Sequence, residues 1–304
     1  MVKMNEHLSA SEREQLLRRS DLWAWWLLLS NWAMILLLLL LAGLFPHPLT
    51  LLVAWVMLPG RQLGLSVLMH EAGHSTLFVR RGLNQWVGQW LCALPTLNDL
   101  QSYAAGHVDH HRLAGTMDDP DLPNYRAYPI DRQRFRRKVF RDLTGQTGFK
   151  LLSGLVQGGL SHFGGDALSA GRGLLSKQIG TQMMLGFVLW SMGIGWTWWL
   201  WFGTLMTSYM LVARLRQIAE HAAVPDANDP DPRMNTRTVD APAWQRFVMA
   251  PNFVNYHLEH HLLPGVPCYR LPAFRALLMK KGLLADVPLF SGYSEVLRHT
   301  VRAT

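Results

Sequence analysis

Three short stretches of this chain concentrate histidine at spacings that could bind a metal. They are His70-Glu71-Ala72-Gly73-His74, His107-Val108-Asp109-His110-His111 and His257-Leu258-Glu259-His260-His261. Residues three and four apart share one face of a helix, so the imidazoles of each stretch can point to a common place. Four isolated histidines, at positions 7, 47, 162 and 299, have no such spacing and are expected to be ordinary surface or core residues. The three histidine stretches therefore predict a metal site.

The number of clustered histidines favours two metal ions over one. Besides the eight in the three stretches, His221 follows a long apolar run and is the ninth candidate. Imidazole suits zinc, copper, iron and nickel, and a single zinc takes about four ligands. The sequence predicts a dinuclear site whose ligands are His70, His74, His107, His110, His111, His221, His257, His260 and His261.

The composition indicates a membrane protein. Of the 304 residues, 49% are hydrophobic and 16% charged, whereas soluble proteins have about 25% charged residues. The formal net charge is +8. In a chain with membrane spans, this charge is explained by the anionic inner face of a membrane, so no nucleic-acid partner is expected. The two cysteines exclude a disulfide framework and a cysteine metal site.

Apolar runs predict four transmembrane helices. About 20 apolar residues cross a hydrocarbon core of roughly 30 Å, and Trp23, Trp25 and Trp26 at the start of the first run are typical of the membrane interface. The expected fold is an all-α integral membrane protein, one domain over 1–304, with a cytosolic helical cap that holds the di-metal site. The predicted spans are 22–45, 49–69, 179–195 and 197–217, and the predicted cytosolic regions are 1–21, 70–178 and 218–304.

The positions of lysine and arginine predict the orientation. The short loops at 46–48 and 193–196 contain neither residue, whereas the other connecting regions are rich in both. Both termini and the clustered histidines should face the cytoplasm, and a bacterial inner membrane is the expected location. We expect Arg61 to extend toward the lipid headgroups, with a buried functional arginine as the second interpretation. The basic run at 132–141 should form a solvated or lipid-facing surface, with docking of an acidic redox partner as the second interpretation.

The first histidine stretch also matches a different class of enzyme. His70-Glu71-Ala72-Gly73-His74 is an H-E-x-x-H sequence, in which zinc metalloproteases use the glutamate as a general base. Intramembrane proteases of this class need a further aspartate in an Asp-Gly setting, and the chain contains no Asp-Gly dipeptide. A protease would also leave the other two stretches unexplained. It stays a distant alternative, followed by a non-enzymatic metal-binding membrane protein.

The order of the three stretches resembles the membrane fatty acid desaturase superfamily. The resemblance runs from about Arg61 to Leu271 and includes the acidic continuation Asp118-Asp119-Pro120-Asp121 after the second stretch. It implies a non-haem di-iron centre that uses O2 to remove hydrogen from an acyl chain. It also implies that all nine clustered histidines bind iron, with His221 supplied by the end of the fourth span. Glu220, Asp118 and Asp121 are expected to orient imidazole rings.

The sequence departs from the desaturase pattern at two places, and it leaves the type of reaction undecided. Tyr103 and Ala104 stand where relatives often have tryptophan and a basic residue. No His-Pro-Gly-Gly motif of a fused cytochrome b5 occurs, so a separate donor of ferredoxin, rubredoxin or cytochrome b5 type is expected. We expect desaturation of a fatty acyl or acyl-lipid chain. Hydroxylation, another oxygenation or a desaturase-like decarboxylation of a lipid chain stays open, because the same ligand pattern serves each.

Overall fold

The computed structural model describes residues 4–160 and 166–302, which are mostly helical. His162 lies outside the described residues, as do the outermost residues of both termini. The N-terminal part comprises α1 (Met4–His7), α2 (Ala10–Leu17), α3 (Asp21–Leu44) and α4 (Pro48–Gly73).

Local signals explain where α3 and α4 begin. The Ser20 hydroxyl accepts a hydrogen bond from the Trp23 N–H, and the His47 ring accepts one from the Leu49 N–H. Both contacts satisfy N–H groups that have no partner within the helix. The helical run Ala10–Leu44 and the helix Pro48–Gly73 are long and apolar enough to cross a membrane. They coincide with the first two predicted spans.

The region after α4 is built from short elements. They are α5 (Arg81–Val87), a π-helical turn (Gly88–Ala93), a 3-10 turn (Leu94–Thr96), α6 (Leu100–Leu113), α7 (Leu122–Tyr125), β1 (Ile130–Asp131), α8 (Arg132–Leu143) and α9 (Gln146–Leu160). Strand β1 pairs in parallel with β2 (Val301–Arg302) near the other end of the chain. Within the described region this is the only sheet, so the all-helical expectation holds apart from two short strands.

The second predicted pair of spans corresponds to three helices. These are α10 (Asp166–Ser191), α11 (Thr197–Met206) and α12 (Ser208–His221). The backbone at Thr207, with φ −120° and ψ −92°, interrupts the predicted fourth span. Among the described residues only the two N-terminal runs have the length and composition of a span. The spans 179–195 and 197–217, and with them the four-helix topology and the domain boundaries, stay predictions.

The C-terminal region packs back onto α4. It comprises α13 (Pro232–Asn235), α14 (Ala243–Met249), a 3-10 turn (Pro251–Phe253), α15 (His257–Leu262), a 3-10 turn (Cys268–Arg270), α16 (Leu271–Lys280) and α17 (Tyr293–Thr300). A buried apolar cluster that includes Leu68, Leu100, Leu258 and Phe274 joins α4, α6, α15 and α16. This cluster brings together three of the four elements that carry clustered histidines.

Helix α14 lies directly against α4, which corrects the expectation for Arg61. A Cβ atom on Gly60 would lie 2.2 Å from the carbonyl oxygen of Val248. Beside it, Arg61 is only 8% exposed, and its guanidinium lies 4.5 Å from the centroid of the Phe247 ring. The structure therefore supports the second interpretation, a buried Arg61, because α14 covers the guanidinium.

We predict that Gly60→Ala lowers stability by about 1–3 kcal/mol, because the added methyl group meets backbone that has little room to move. Gly203→Ala in α11 is the matched control, since a Cβ there meets nothing within 4 Å. It should be neutral or stabilising by up to about 1 kcal/mol. Thermal unfolding in detergent measures both, and equal midpoints for the two variants would contradict the close packing of α14 on α4.

Candidate metal centre

The four elements that carry the clustered histidines converge. Helix α4 ends beside His70 and His74, and α12 ends at His221, while α6 and α15 each contribute three histidines. The first histidine group contains His70, His74, His107, His111 and His260, and the second histidine group contains His110, His221, His257 and His261. Within each group, one nitrogen of every ring lies within 4.8 Å of the others. All nine sequence-predicted histidines are thus brought together.

Neighbouring histidines belong to different groups. His110 and His111 are adjacent in α6, and His260 and His261 are adjacent in α15, yet each pair divides between the two groups. Consecutive side chains on a helix point in directions about 100° apart, which allows this division. The groups are themselves neighbours, because the ring centroids of His111 and His261 are 4.3 Å apart.

Distances in the first histidine group match those between ligands of one ion. The Nε2 atom of His260 lies 3.0 Å from that of His70 and 2.8 Å from that of His111. The Nε2 atoms of His107 and His111 are 3.0 Å apart. Two nitrogens that are each about 2.1 Å from one metal ion and at right angles to each other are about 3.0 Å apart.

Hydrogen bonds in the second histidine group leave ring nitrogens with facing lone pairs. The Nδ1 atom of His221 lies 3.1 Å from the carbonyl oxygen of Asn235, which only accepts, so Nδ1 carries the proton and Nε2 is bare. The Nδ1 atom of His257 faces Glu220 at 3.6 Å, which favours the same tautomer. The two Nε2 atoms are 2.8 Å apart. Two lone pairs at this distance repel each other. A cation between the two Nε2 atoms would replace the repulsion by two favourable contacts.

Burial favours the neutral form of seven of the nine imidazoles. Loss of hydration, followed by the neighbouring imidazoles, lowers the pKa of His111 to about 2, and loss of hydration lowers the pKa of His74 and of His221 to about 3. Neutral imidazole is the form that binds metals. Among the described residues, His74 Nε2, His260 Nδ1 and His261 Nε2 are buried without a hydrogen-bond partner. The donor set therefore fits a metal.

The carboxylate that holds His110 is Asp119, which sequence reasoning missed. Its Oδ1 lies 2.8 Å from His110 Nδ1, and the Tyr125 hydroxyl donates to its other oxygen. Of the two aspartates expected in this role, Asp118 is exposed and Asp121 lies 3.9 Å away. The acidic run after the second stretch correctly indicated that an aspartate orients a histidine ring. Which aspartate of the run faces His110 depends on the course of the loop.

Two glutamates lie against the histidines. Glu220, as expected, lies beside His257, and Arg216 pairs with it at 2.6 Å. Glu71 lies 3.2 Å from His70 Nδ1 and accepts hydrogen bonds from the Thr76 hydroxyl at 2.8 Å and the Cys268 N–H at 2.9 Å. These contacts hold the Glu71 carboxylate where it can orient the His70 ring. The H-E-x-x-H sequence alone does not indicate this role.

The buried segment 235–239 connects the end of α12 to α15. The Asn235 carbonyl holds His221, and Arg237, only 3% exposed, donates to the carbonyls of Ala222 and Ala223 at 3.0 Å each. The Thr238 hydroxyl donates to Glu259 in α15 and accepts from the Leu258 N–H at 3.3 Å. One short segment thus fixes His221 relative to the third histidine stretch. No sequence pattern pointed to it.

Comparison with known proteins agrees with this geometry. The fatty acid desaturase family matches residues 46–293. This chain belongs to the fatty acid desaturase family. It is 25% identical over 248 residues to the dihydrorhizobitoxine desaturase of Bradyrhizobium elkanii, covering 76% of this chain and 70% of that protein. It is also 25% identical over 245 residues to the sn-1 oleoyl-lipid 12-desaturase of Picosynechococcus sp., covering 73% and 67% respectively.

Membership of the fatty acid desaturase family makes the chain an oxidoreductase enzyme. The metalloprotease alternative is thereby set aside. The position of Glu71 is consistent with this outcome, because its carboxylate is engaged by Thr76 and Cys268. The coarse prediction of a desaturase-type membrane oxidoreductase with histidine clusters able to bind metal is confirmed.

We predict that Arg237→Met destabilises the protein by about 1–3 kcal/mol, because the carbonyls of Ala219, Ala222 and Ala223 lose a charged donor. Arg298→Met in α17 is the control, since Arg298 is exposed and should change stability little. Thermal unfolding of both variants measures the difference. Equal stability would show that the segment 235–239 does not hold the end of α12.

Proposed function

We propose that this desaturase-family protein is an oxygen-dependent di-iron enzyme that desaturates a fatty acyl or acyl-lipid chain in the membrane. The observation that carries the proposal is the convergence of nine imidazoles into two adjacent groups, in one of which the bare Nε2 atoms of His221 and His257 face each other. One iron would be held by the first histidine group and one by the second. Iron bound there supplies activation of O2, the chemistry needed to remove hydrogen from an unactivated chain.

The protein's own residues orient the ligands and exclude water. Asp119, Glu71 and Glu220 face the Nδ1 atoms of His110, His70 and His257. These contacts leave Nε2 free to bind metal. The histidines of α15 are at most 8% exposed, which keeps bulk water away from the reacting positions. Orientation and dehydration are therefore the contributions that we assign to the described side chains.

A small cavity marks where a substrate chain would reach the histidines. It lies beside His70, His257 and His260, and its wall combines the apolar side chains of Val67, Phe253, Val254 and Leu271 with the polar side chains of Ser66, Glu71, Arg216 and Asn252. The apolar part of this wall suits a hydrocarbon chain, because contact with it removes apolar surface from water. We place the carbon that loses hydrogen in this cavity.

The relatives favour desaturation over hydroxylation. By their names, one acts on dihydrorhizobitoxine and the other on an sn-1 oleoyl lipid, and both are desaturases. For this chain we propose a lipid or acyl substrate and a separate electron donor of ferredoxin, rubredoxin or cytochrome b5 type. We place the enzyme in a bacterial inner membrane as a multi-pass protein whose active site faces the cytoplasm.

We predict two irons per chain after iron-replete expression and purification. His221→Ala should lose iron and activity as His260→Ala does, because each removes a ligand, while both variants stay folded in the membrane. His7→Ala is the matched control, since His7 is exposed in α1 and should keep both. One zinc with negligible iron would overturn the di-iron proposal, and full iron in His221→Ala would remove the ninth ligand.

Mass spectrometry of total lipids from cells with and without the expressed protein tests the reaction. Desaturation removes two hydrogens from a chain, whereas hydroxylation adds one oxygen, so the mass changes are distinct. We expect loss of two hydrogens with the wild type and no change with His260→Ala. A gain of one oxygen would replace desaturation by hydroxylation.

A further inference from the structure

A second cavity, of about 250 Å³, lies between α3, α4 and α14 and contains two arginines. Its wall includes Leu27, Arg61, Arg246, Phe247 and Asn252, and no aspartate or glutamate lines it among the described residues. The small cavity at the histidines shares Asn252 and Phe253 with it. The two cavities are therefore neighbours separated by one short segment of chain.

Arg61 is a buried cation whose donors are only partly used. One terminal nitrogen donates to the Phe247 carbonyl, but Nε is buried and has no hydrogen-bond partner in the described part of the chain. Neither Arg61 nor Arg246 forms an ion pair with any described carboxylate. A buried charge without a counter-charge is costly. An anion in the cavity would supply both the charge and the missing acceptor.

The cavity lies at the depth expected for lipid headgroups. Leu27 in its wall directly follows the run that contains Trp23 and Trp26, which are 48% and 63% exposed. Trp244, at the start of α14, is 66% exposed. Exposed tryptophans of a membrane protein concentrate at the interface between lipid and water. An amphiphile could thus place its polar end in this cavity without leaving the membrane.

The chain segment between the two cavities is held in an unusual conformation. Asn252 and Phe253 have φ of 54° and 65°, in the left-handed region that non-glycine residues rarely adopt. The Asn252 side chain donates to the Gly64 carbonyl at 2.9 Å and fixes the segment on α4. Strained backbone of this kind concentrates at binding and active sites. Phe253 therefore borders both cavities and lies between the arginines and the histidines.

The spacing along α4 suits an amphiphile that spans both cavities. Arg61 precedes His70 by nine residues, which corresponds to about 13 Å along the helix axis. A polar end bound at Arg61 would leave a chain to pass Phe253 before it reaches the histidines. The distance between the two sites would then select which carbon lies beside the metal.

We propose that the cavity of Arg61 and Arg246 binds the anionic head, a carboxylate or a phosphate, of the amphiphile whose chain is oxidised. Guanidinium groups bind both anions through paired hydrogen bonds. The role in substrate positioning rests on the proposed function, whereas anion binding by the cavity does not. Arg246 is the better position for a test, because its side chain has no hydrogen bond in the described residues, while Arg61 also supports α14.

Binding of defined lipids to the purified protein in non-ionic detergent tests the proposal. The probes are oleate against methyl oleate, and phosphatidylglycerol against diacylglycerol. We expect the charged member of at least one pair to bind more tightly, and Arg246→Gln to weaken that binding about tenfold. Arg246→Lys should retain most of it, and Arg298→Gln, at an exposed position, should leave it unchanged. A preference within the oleate pair assigns a carboxylate head, and one within the phosphatidylglycerol pair a phosphate head.

Iron content separates this proposal from the proposed function. Arg246→Gln should keep the wild-type iron content while binding the charged probe weakly. Equal binding of charged and neutral probes, unchanged binding in Arg246→Gln, or loss of iron in that variant would overturn the anion site. Absence of iron from the wild type, with charge-selective and Arg246-dependent binding intact, would overturn the di-iron function and leave the anion site standing.

Discussion

The convergence of nine buried or half-buried imidazoles in a small space is the constraint on which the rest of the structure depends. Burial favours the neutral form of seven of these rings, and the bare Nε2 atoms of His221 and His257 repel each other across 2.8 Å. The protein needs rigid surroundings to hold that arrangement. Buried acceptors provide them: Asp119, Glu71, Glu220 and the Asn235 carbonyl lie against ring nitrogens, and other charged or hydroxyl groups fix several of these acceptors in turn.

The same demand explains why so many separate elements meet at the centre. Three rings come from α6, three from α15, two from the end of α4 and one from α12. No single helix therefore supplies enough ligands for two ions. The apolar cluster around Leu68, Leu100 and Leu258 joins α4, α6 and α15. The segment 235–239 adds α12 through hydrogen bonds of Asn235 and Arg237. Hydrophobic burial thus assembles most of the centre, and directional hydrogen bonds place its last ligand.

Recognition of a lipid substrate raises a physical problem that the two neighbouring cavities address separately. A hydrocarbon chain offers no group for a hydrogen bond, so an apolar wall beside the histidines can hold it but gives little control of its position along its length. Buried guanidinium groups can fix a charged end. Arg61 and His70 lie on one helix, so the distance between them is fixed. With the charged head bound at Arg61, this distance would determine which carbon of the chain lies beside the histidines.

The sequence by itself determined the candidate ligands of this protein and its family resemblance. Histidines at i, i+3 and i+4 share a helix face whatever the fold, so the nine candidate ligands and the family resemblance followed from local spacing, and the first two spans followed from apolar length. Tertiary structure alone decided the division of His110 from His111 and of His260 from His261, the choice of Asp119 over Asp118, and the burial of Arg61 and Arg237. These features depend on how loops close and how elements far apart in the chain pack, and no local pattern of residues encodes that information.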